Sequence, residues 1–407
     1  MKQGDALSLP KGWEIKTLGD VSEIMNGGTP DTTVPKFWDG ENLWITPKDM
    51  GKMEGIYVDD TLRKITDDGL KNSSAKILPP NSIILSSRAP IGHLAINTKP
   101  ISTNQGCKGL VPKKGVDTLF LYYFLSKSVD LLNSLGTGAT FKELSGSKLG
   151  TVEIPLPPLP EQQRIVAILD EAFAAIAKAK ANAEQNLKNA KELFNVYLHK
   201  YYTSKEKGWE EKNLNEVAEY FNGLTYSPKD VSNEGIIVLR SSNVQNDELD
   251  FNDIVRVNLT VKKKIIVKDG DILMCSRNGS ARLVGKTATI KNLNEEMTFG
   301  TFMMIIRSQY NPYLSWFFKS TDFRNQIKGG ENTMINQITR YMLDDIVLSF
   351  PPIDKQNEIV KKLDALSIEI KQLDTIYNQK INDLEELKKS VLQKAFSGEL
   401  KTATALV

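Results

Sequence analysis

The stretch GSARLVGKT, Gly279–Thr287, follows a strand-like run and nearly spells a phosphate-binding loop. That chemistry needs backbone N–H groups turned onto a phosphate, with Lys and Thr at fixed spacing ahead of a helix. Here five residues separate Gly279 from Gly285 where the pattern wants four, and Ser280 holds the place of the first glycine. The ATIKNL that follows is a poor helix opening. The only histidines, His93 and His199, lie apart from any cysteine or acidic cluster at ligand spacing. That argues against a metal site and against a Ser-His-Asp arrangement. GxSxG, GxGxxG and Asn/Asp-Pro-Pro-aromatic strings are all missing from the sequence. The chain reads as catalytically empty, with a nucleotide-dependent activity at Gly279–Thr287 as one alternative.

Bulk composition fits that reading. The 407 residues are 40% hydrophobic and 25% charged, enough for two or more cores. Net charge is +2, from 52 basic and 50 acidic residues, so charge alone neither supports nor excludes a polyanionic partner. Two lone cysteines, Cys107 and Cys275, point to a reducing compartment. The N-terminal MKQGDALSLPKGW lacks a signal-peptide core, and no apolar run approaches the ~18 residues of a membrane span. A cytoplasmic protein without membrane contact is expected.

The sequence is written twice. GWEIKTLGDVSEIMNGGT at Gly12–Thr29 returns as GWEEKNLNEVAEYFNGLT at Gly208–Thr225, and IILSSR ending at Arg88 returns as ILMCSR ending at Arg277. PPLPEQQRIVAILD at Pro157–Asp170 returns as PPIDKQNEIVKKLD at Pro351–Asp364. Each copy is a mixed segment of short β-branched runs fenced by turn residues, then a Pro-Pro break, then a long helix. TLFLYYFLSKSVDLLNSL and YLSWFFKSTDFRNQI read as a matching helix late in each mixed segment.

A heptad spacing runs through both long helices. In the first it lands on Ile165, Leu169, Ala172, Ile176, Ala179, Ala183, Asn186, Ala190, Leu193 and Tyr197. In the second it lands on Ile359, Leu363, Leu366, Ile370, Leu373, Tyr377, Lys380, Leu384, Leu387 and Val391. The first stripe is rich in Ala and the second in Leu, which suits helices that pair with each other. Packing of each helix on its own domain is the other reading.

The duplication resembles the specificity subunit of type I restriction–modification systems. The residues that carry the resemblance are GGTP…FWDG…LWITPKDM, STNQG, IPLPPLPEQQRIVAIL and the closing LKKSVLQKAFSGEL. The second copy departs from it, with NGLTYSPKDVSNEG in place of the Gly-Gly-Thr-Pro block. The resemblance implies an α+β fold of two tandem pseudo-repeats whose long helices pair as an antiparallel coiled coil. It implies a first target-recognition domain at 1–158, a spacer helix at 159–205, a second domain at 206–352, a second spacer helix at 353–401 and a tail at 402–407. The function implied is reading a split, asymmetric DNA sequence, without catalysis or a cofactor of its own. The partners implied are double-stranded DNA, two methyltransferase subunits that bind S-adenosylmethionine, and restriction/translocase subunits. About 33 residues of seam would make a rod of roughly 50 Å, about 14–15 base pairs of unread spacer.

Direct readout of bases wants forked or amide side chains on loops. The candidates are Thr46, Lys48, Ser87, Arg88, Asn104 and Gln105 in the first domain, and Arg240, Ser242, Asn243, Arg277 and Asn278 in the second. Arg88 and Arg277 share one place in the two copies, which fits a phosphate or structural contact better than discrimination. A coiled-coil adaptor with two protein-binding lobes keeps the same architecture without DNA.

Overall fold

The protein is described by a computed structural model over residues 10–138, 142–328 and 336–400; the expected 402–407 tail lies outside them. Two compact units emerge. One ends at Asn182 and resumes at Gln379, and the other is Ala183–Asn378. The division falls inside both long helices, Leu159–Thr203 and Ile353–Ser397.

In the first unit a five-stranded sheet runs Ser22–Asn26, Cys107–Pro112, Ile83–Ser87, Ile91–Asn97, Tyr57–Val58. Its centre, Ile83–Ser87, is buried at every position, as a strand covered on both faces must be. A smaller sheet places Trp38–Ile45 between Arg63–Ile65 and Ile101–Thr103. The second unit repeats the plan. Glu219–Asn222, Met303–Arg307, Ile272–Cys275 and Thr287–Thr289 form one sheet. Val231–Ser232, Arg256–Val257, Ile236–Leu239 and Met297–Phe299 form the other. Tyr57–Val58 in the first unit and Val231–Ser232 in the second have no counterpart, and the registers of the shared strands match. Ile45 lies opposite Thr103 as Leu239 lies opposite Phe299, both in parallel pairs. Ile83 lies between Leu110 and Ile96 as Ile272 lies between Ile306 and Thr289. Each segment is closed by its own ends, Glu14–Thr17 on Glu153–Leu156 and Glu210–Asn213 on Val347–Phe350.

The single late helix expected in each copy is two helices. Thr118–Lys127 gives way to Val129–Leu135 at Ser128, and Asn311–Phe317 to Thr321–Lys328. In the second copy the break is made by the buried Ser320, whose hydroxyl accepts from Phe323 N. A serine that caps a new helix competes with continuing the old one.

The repeated Pro-Pro-x-x-x-Gln string has a physical job. Gln162 is fully buried; its amide donates to the carbonyls of Pro157 and Gly115, and its oxygen accepts from Asp117 N. Gln356 donates to the Pro351 carbonyl in the same way. The first long helix is thus locked to its globular segment at its first turn, while in the second the glutamine closes only on the Pro-Pro break that precedes it.

The helices pair antiparallel. In the first unit Lys180 meets Glu385 at 2.7 Å, the Lys388 ammonium lies 5.2 Å over the Phe173 ring, and Arg164 donates to the Leu400 carbonyl. In the second unit Lys191 meets Asp374 at 2.5 Å. Each helix also packs on globular segments. Phe396 stacks 5.0 Å from Phe120 and 5.5 Å from Phe124, beside Ile165 and Leu169. Tyr202 stacks 4.9 Å from Tyr313 and 5.2 Å from Phe317, beside Ile359 and Leu363.

Part of the expected seam needs correction. Ile165, Leu169, Ile176, Ile359 and Leu363 are buried, and Leu366, Ile370, Leu373, Tyr377, Leu384 and Val391 are half-buried. Leu193 is 58% exposed, Leu387 48% and Tyr197 41%, and Asn186 and Lys380 are exposed too. The places of Asn186, Leu193, Tyr197 and Lys380 are taken by the next residues, Leu187, Phe194, Leu198 and Ile381. A straight helix drifts about 20° per heptad from a strict 3.5-residue repeat, so a long seam slips to the neighbouring residue.

Candidate nucleic-acid interface

Three loops meet at one end of each unit, and hydrogen bonds tie them together. In the first unit Thr46 ends the strand Trp38–Ile45 and caps the short helix Pro47–Met50. Its N–H and hydroxyl donate to Asp49 at 3.0 and 2.7 Å. Lys48 is exposed on that turn. The second loop is the turn Asn104–Gly106. Asn104 N donates to the Ile45 carbonyl, and the Asn104 side chain accepts from Gly106 N. Gln105 is exposed and accepts from the Thr29 hydroxyl. The third loop follows Ile83–Ser87: Ser87 N donates to the Gly106 carbonyl, and Arg88 is exposed, 3.9 Å from Glu143.

The second unit builds the same frame from other residues. Arg240 N donates to the Asn243 side-chain oxygen at 2.9 Å, as Thr46 N does to Asp49. Gly300 N donates to the Leu239 carbonyl as Asn104 N does to that of Ile45. Ser276 N and Arg277 N both donate to the Phe302 carbonyl, as Ser87 N does to that of Gly106. Asn278 donates to the Ser241 hydroxyl at 3.2 Å, which ties the two loops together. The Arg277 guanidinium lies 5.5 Å from the Phe302 ring centroid, and that of Arg240 pairs with Asp253 at 2.7 Å. Beside them lies an open cleft of about 520 Å³ lined by Arg240, Ser242, Val255, Thr301 and Phe302.

Nine of the eleven candidates therefore lie on these loops with their side chains at least partly accessible. Ser87 and Asn243 do not qualify. Ser87 is fully buried, with its hydroxyl unpaired, on the inner strand of the five-stranded sheet. Asn243 is buried because its amide donates to the carbonyls of Asp250 and Asp253 and so organises the loop. Residue type does not report the direction of a side chain.

Two further side chains stand on the same frame, one on a strand rather than a loop and one apolar. Arg63, exposed, lies 3.9 Å over the Trp38 ring and 5.2 Å from that of Trp44, the two indoles packed edge to face. Trp44 in turn donates to the Gly28 carbonyl, next to Thr29 and its partner Gln105. Stacking pre-orients the guanidinium fork. The register places Val255 opposite Val238 where Arg63 lies opposite Trp44. Phe302 is the second. The two tryptophans ahead of Arg63, and an alignment of STNQG with TFGTF, are the sequence signals that would have found them.

The phosphate-loop resemblance does not survive folding. Lys286 donates to the Val244 carbonyl at 2.7 Å, burial lowers its pKa, and Thr287 opens a strand rather than a helix. Burial pushes the Cys107 thiol up to about 12 and raises that of Cys275, so neither favours a thiolate. Among the described residues no group of three His, Cys, Asp or Glu is placed to hold a metal, and no helix is long and apolar enough to cross a membrane.

Two units of one topology, each with a loop face of different chemistry, define a duplicated recognition scaffold. The sequence matches the type I restriction modification DNA specificity domain at residues 10–188 and again at 206–386, and the chain belongs to that family. It is 37% identical over 246 residues to the type I restriction enzyme MjaIX specificity subunit of Methanocaldococcus jannaschii. That alignment covers 56% of this chain and 57% of the relative, little more than half its length. It is 27% identical over 421 residues to the EcoKI specificity subunit of Escherichia coli K12, covering 96% and 90%. The fold is shared with the HsdS subunit from Thermoanaerobacter tengcongensis, at 18% identity and TM-score 0.62 over 98% of this chain and all of that one. A chain from a structure of the type I R-M system shares it at 18% identity and TM-score 0.78, over 97% and 100%. The family is one of DNA recognition, not catalysis.

Proposed function

We propose that this chain reads a bipartite, asymmetric DNA sequence, one half-site per unit, and scaffolds two methyltransferase subunits with restriction/translocase subunits joining them. In this reading S-adenosylmethionine binds the methyltransferase, this chain carries no cofactor, and the complex works in the cytoplasm. The observation that carries it is the pair of matched loop frames. At equal register one unit presents Thr46, Lys48, Arg63 and Asn104–Gly106, and the other presents Arg240, Ser242, Val255 and Gly300–Phe302. A conserved frame with exchanged donors, acceptors and apolar groups is what reading two different base sequences requires. The length of the paired helices would set the number of unread base pairs between the half-sites.

The test is a single-molecule methylation map of host DNA with and without this gene. N6-methyladenine should vanish at one gapped, two-part motif. Removing seven residues in register from one long helix should shift or abolish that spacing. An unchanged map, or an unchanged spacer, would count against the reading.

A further inference from the structure

One turn that differs between the units carries a single side chain whose chemistry narrows what it reads. Phe302 is 56% exposed, between the strands Met297–Phe299 and Met303–Arg307. Lone exposed apolar residues are ordinary on a surface. Phe302 differs in being fixed: its carbonyl takes N–H groups from Ser276 and Arg277 at 2.9 and 3.1 Å. The Arg277 guanidinium lies beside its ring. The same point in the first unit is Gly106, where a Cβ would come within 3.2 Å of Pro47 and 3.3 Å of the Asn104 side chain. In the second unit the residue at the register of Pro47 is Ser241, and that of Asn104 is Gly300, so both obstructions are gone. The fold evidently stands without a side chain here. The second unit has cleared its neighbours and placed an aromatic ring at the tip of its loop face, next to the cleft lined by Arg240 and Ser242.

On the major-groove edge the only apolar feature among the four bases is the C5-methyl of thymine, and a phenyl ring is one of the groups that contacts it. We propose that Phe302 reads a thymine in the half-site of the second unit by covering that methyl group, with Arg277 supplying N–H donors to the flanking phosphate. The inference rests on the DNA-reading role proposed above. It assigns the two units different modes, amide readout at Asn104–Gln105 and apolar readout at Phe302.

The experiment uses the full chain with its methyltransferase and duplexes carrying the mapped motif. Thymines of the second half-site, on both strands, are replaced one at a time by deoxyuridine, which lacks only the methyl. At one position kcat/KM for methylation should fall about four-fold, the effect of one buried methyl. F302A should lose that sensitivity while F302L keeps it, and both should retain selectivity at the remaining positions of the second half-site, which reports intact folding of that unit. No sensitive position, a half-site without thymine, or equal sensitivity in F302A would overturn the assignment to Phe302. Failure of the unmodified duplex to be methylated by the wild-type complex would sink the DNA-reading role instead.

Discussion

The two units solve one structural problem in two ways at the entrance to their central strand. In the first, Ser82 precedes Ile83, and the neighbouring strand supplies the fully buried Asn97. Its oxygen accepts from Ser82 N, and its amide donates to the carbonyls of Pro79 and Lys99 at 2.8 Å each. In the second, the register of Ser82 holds Asp271, 2% exposed, and that of Asn97 holds the apolar Ile290. The polar partner now comes from the opposite neighbour, where Arg307 replaces Val111 and grips Asp271 through two hydrogen bonds of 2.8 and 2.6 Å. A neutral amide and a buried ion pair hold the same backbone. Topology is therefore kept at this entrance by giving its buried polar side chain a partner, not by keeping particular residues.

The sharpest way to break that equivalence is to remove half of the ion pair. Arg307→Met should destabilise the second unit by about 3–5 kcal/mol, because the buried Asp271 carboxylate loses its counter-charge and keeps only the N–H of Lys268. Hydrogen exchange on the full chain measures it, with the first unit as internal reference. Adding Asp271→Leu should recover most of the loss, since replacing both partners removes the stranded charge. A single-variant cost below about 1 kcal/mol would mean that water reaches Asp271 and that the contrast with Asn97 is superficial.

The loop faces offer a second contrast, at Arg63 and Val255. If the stacked guanidinium makes a bidentate base contact, Arg63→Ala should cost about 1–3 kcal/mol in binding and relax one position of the first half-site only. Methylation of duplexes with single changes in each half-site would show it. Uniform weakening across sequences, with the salt slope reduced by about one, would make Arg63 a phosphate contact instead.

How much of this could be read from the chain depends on the range of the signal. The duplication, the Pro-Pro helix starts and the α+β units are carried by runs of residues, and they are found where the repeats place them. Along the seam Ile165 and Ile359, near the helix starts, are buried while Leu193 and Leu387 are exposed, because a heptad count accumulates phase error that a real helix does not follow. For the loop face, polar type found the turns at Thr46, Asn104, Arg240 and Arg277 but could not tell outward Gln105 from inward Asn243. Phe302 passes for core until the strand register gives it the place that Gly106 holds in the first unit.

The smallest contrast lies at the first turns of the long helices, where the charges are exchanged. Glu161 is gripped by Arg164 through two hydrogen bonds of 2.6 Å, and the acid near the helix start also suits the helix dipole. At the matching positions stand Lys355, whose charge opposes that dipole, and Glu358, which Lys362 and Lys355 contact at 2.8 and 2.9 Å. Those hydrogen bonds hold the Glu358 carboxyl down to about 2 from an ordinary 4.5. A pKa depressed by folding means stability that is fully present above about pH 4.5 and is lost as pH falls toward 2. Glu161, lowered by Arg164, loses its share in the same direction. Thermal melts of Glu358→Gln should therefore fall below wild type near neutral pH, with the gap closing through the acid window and narrowing in high salt, since these groups are exposed. A gap that persists at about pH 2 would mean that the glutamine changes packing rather than charge, and that the exchange of signs between the two helix starts carries no electrostatic weight.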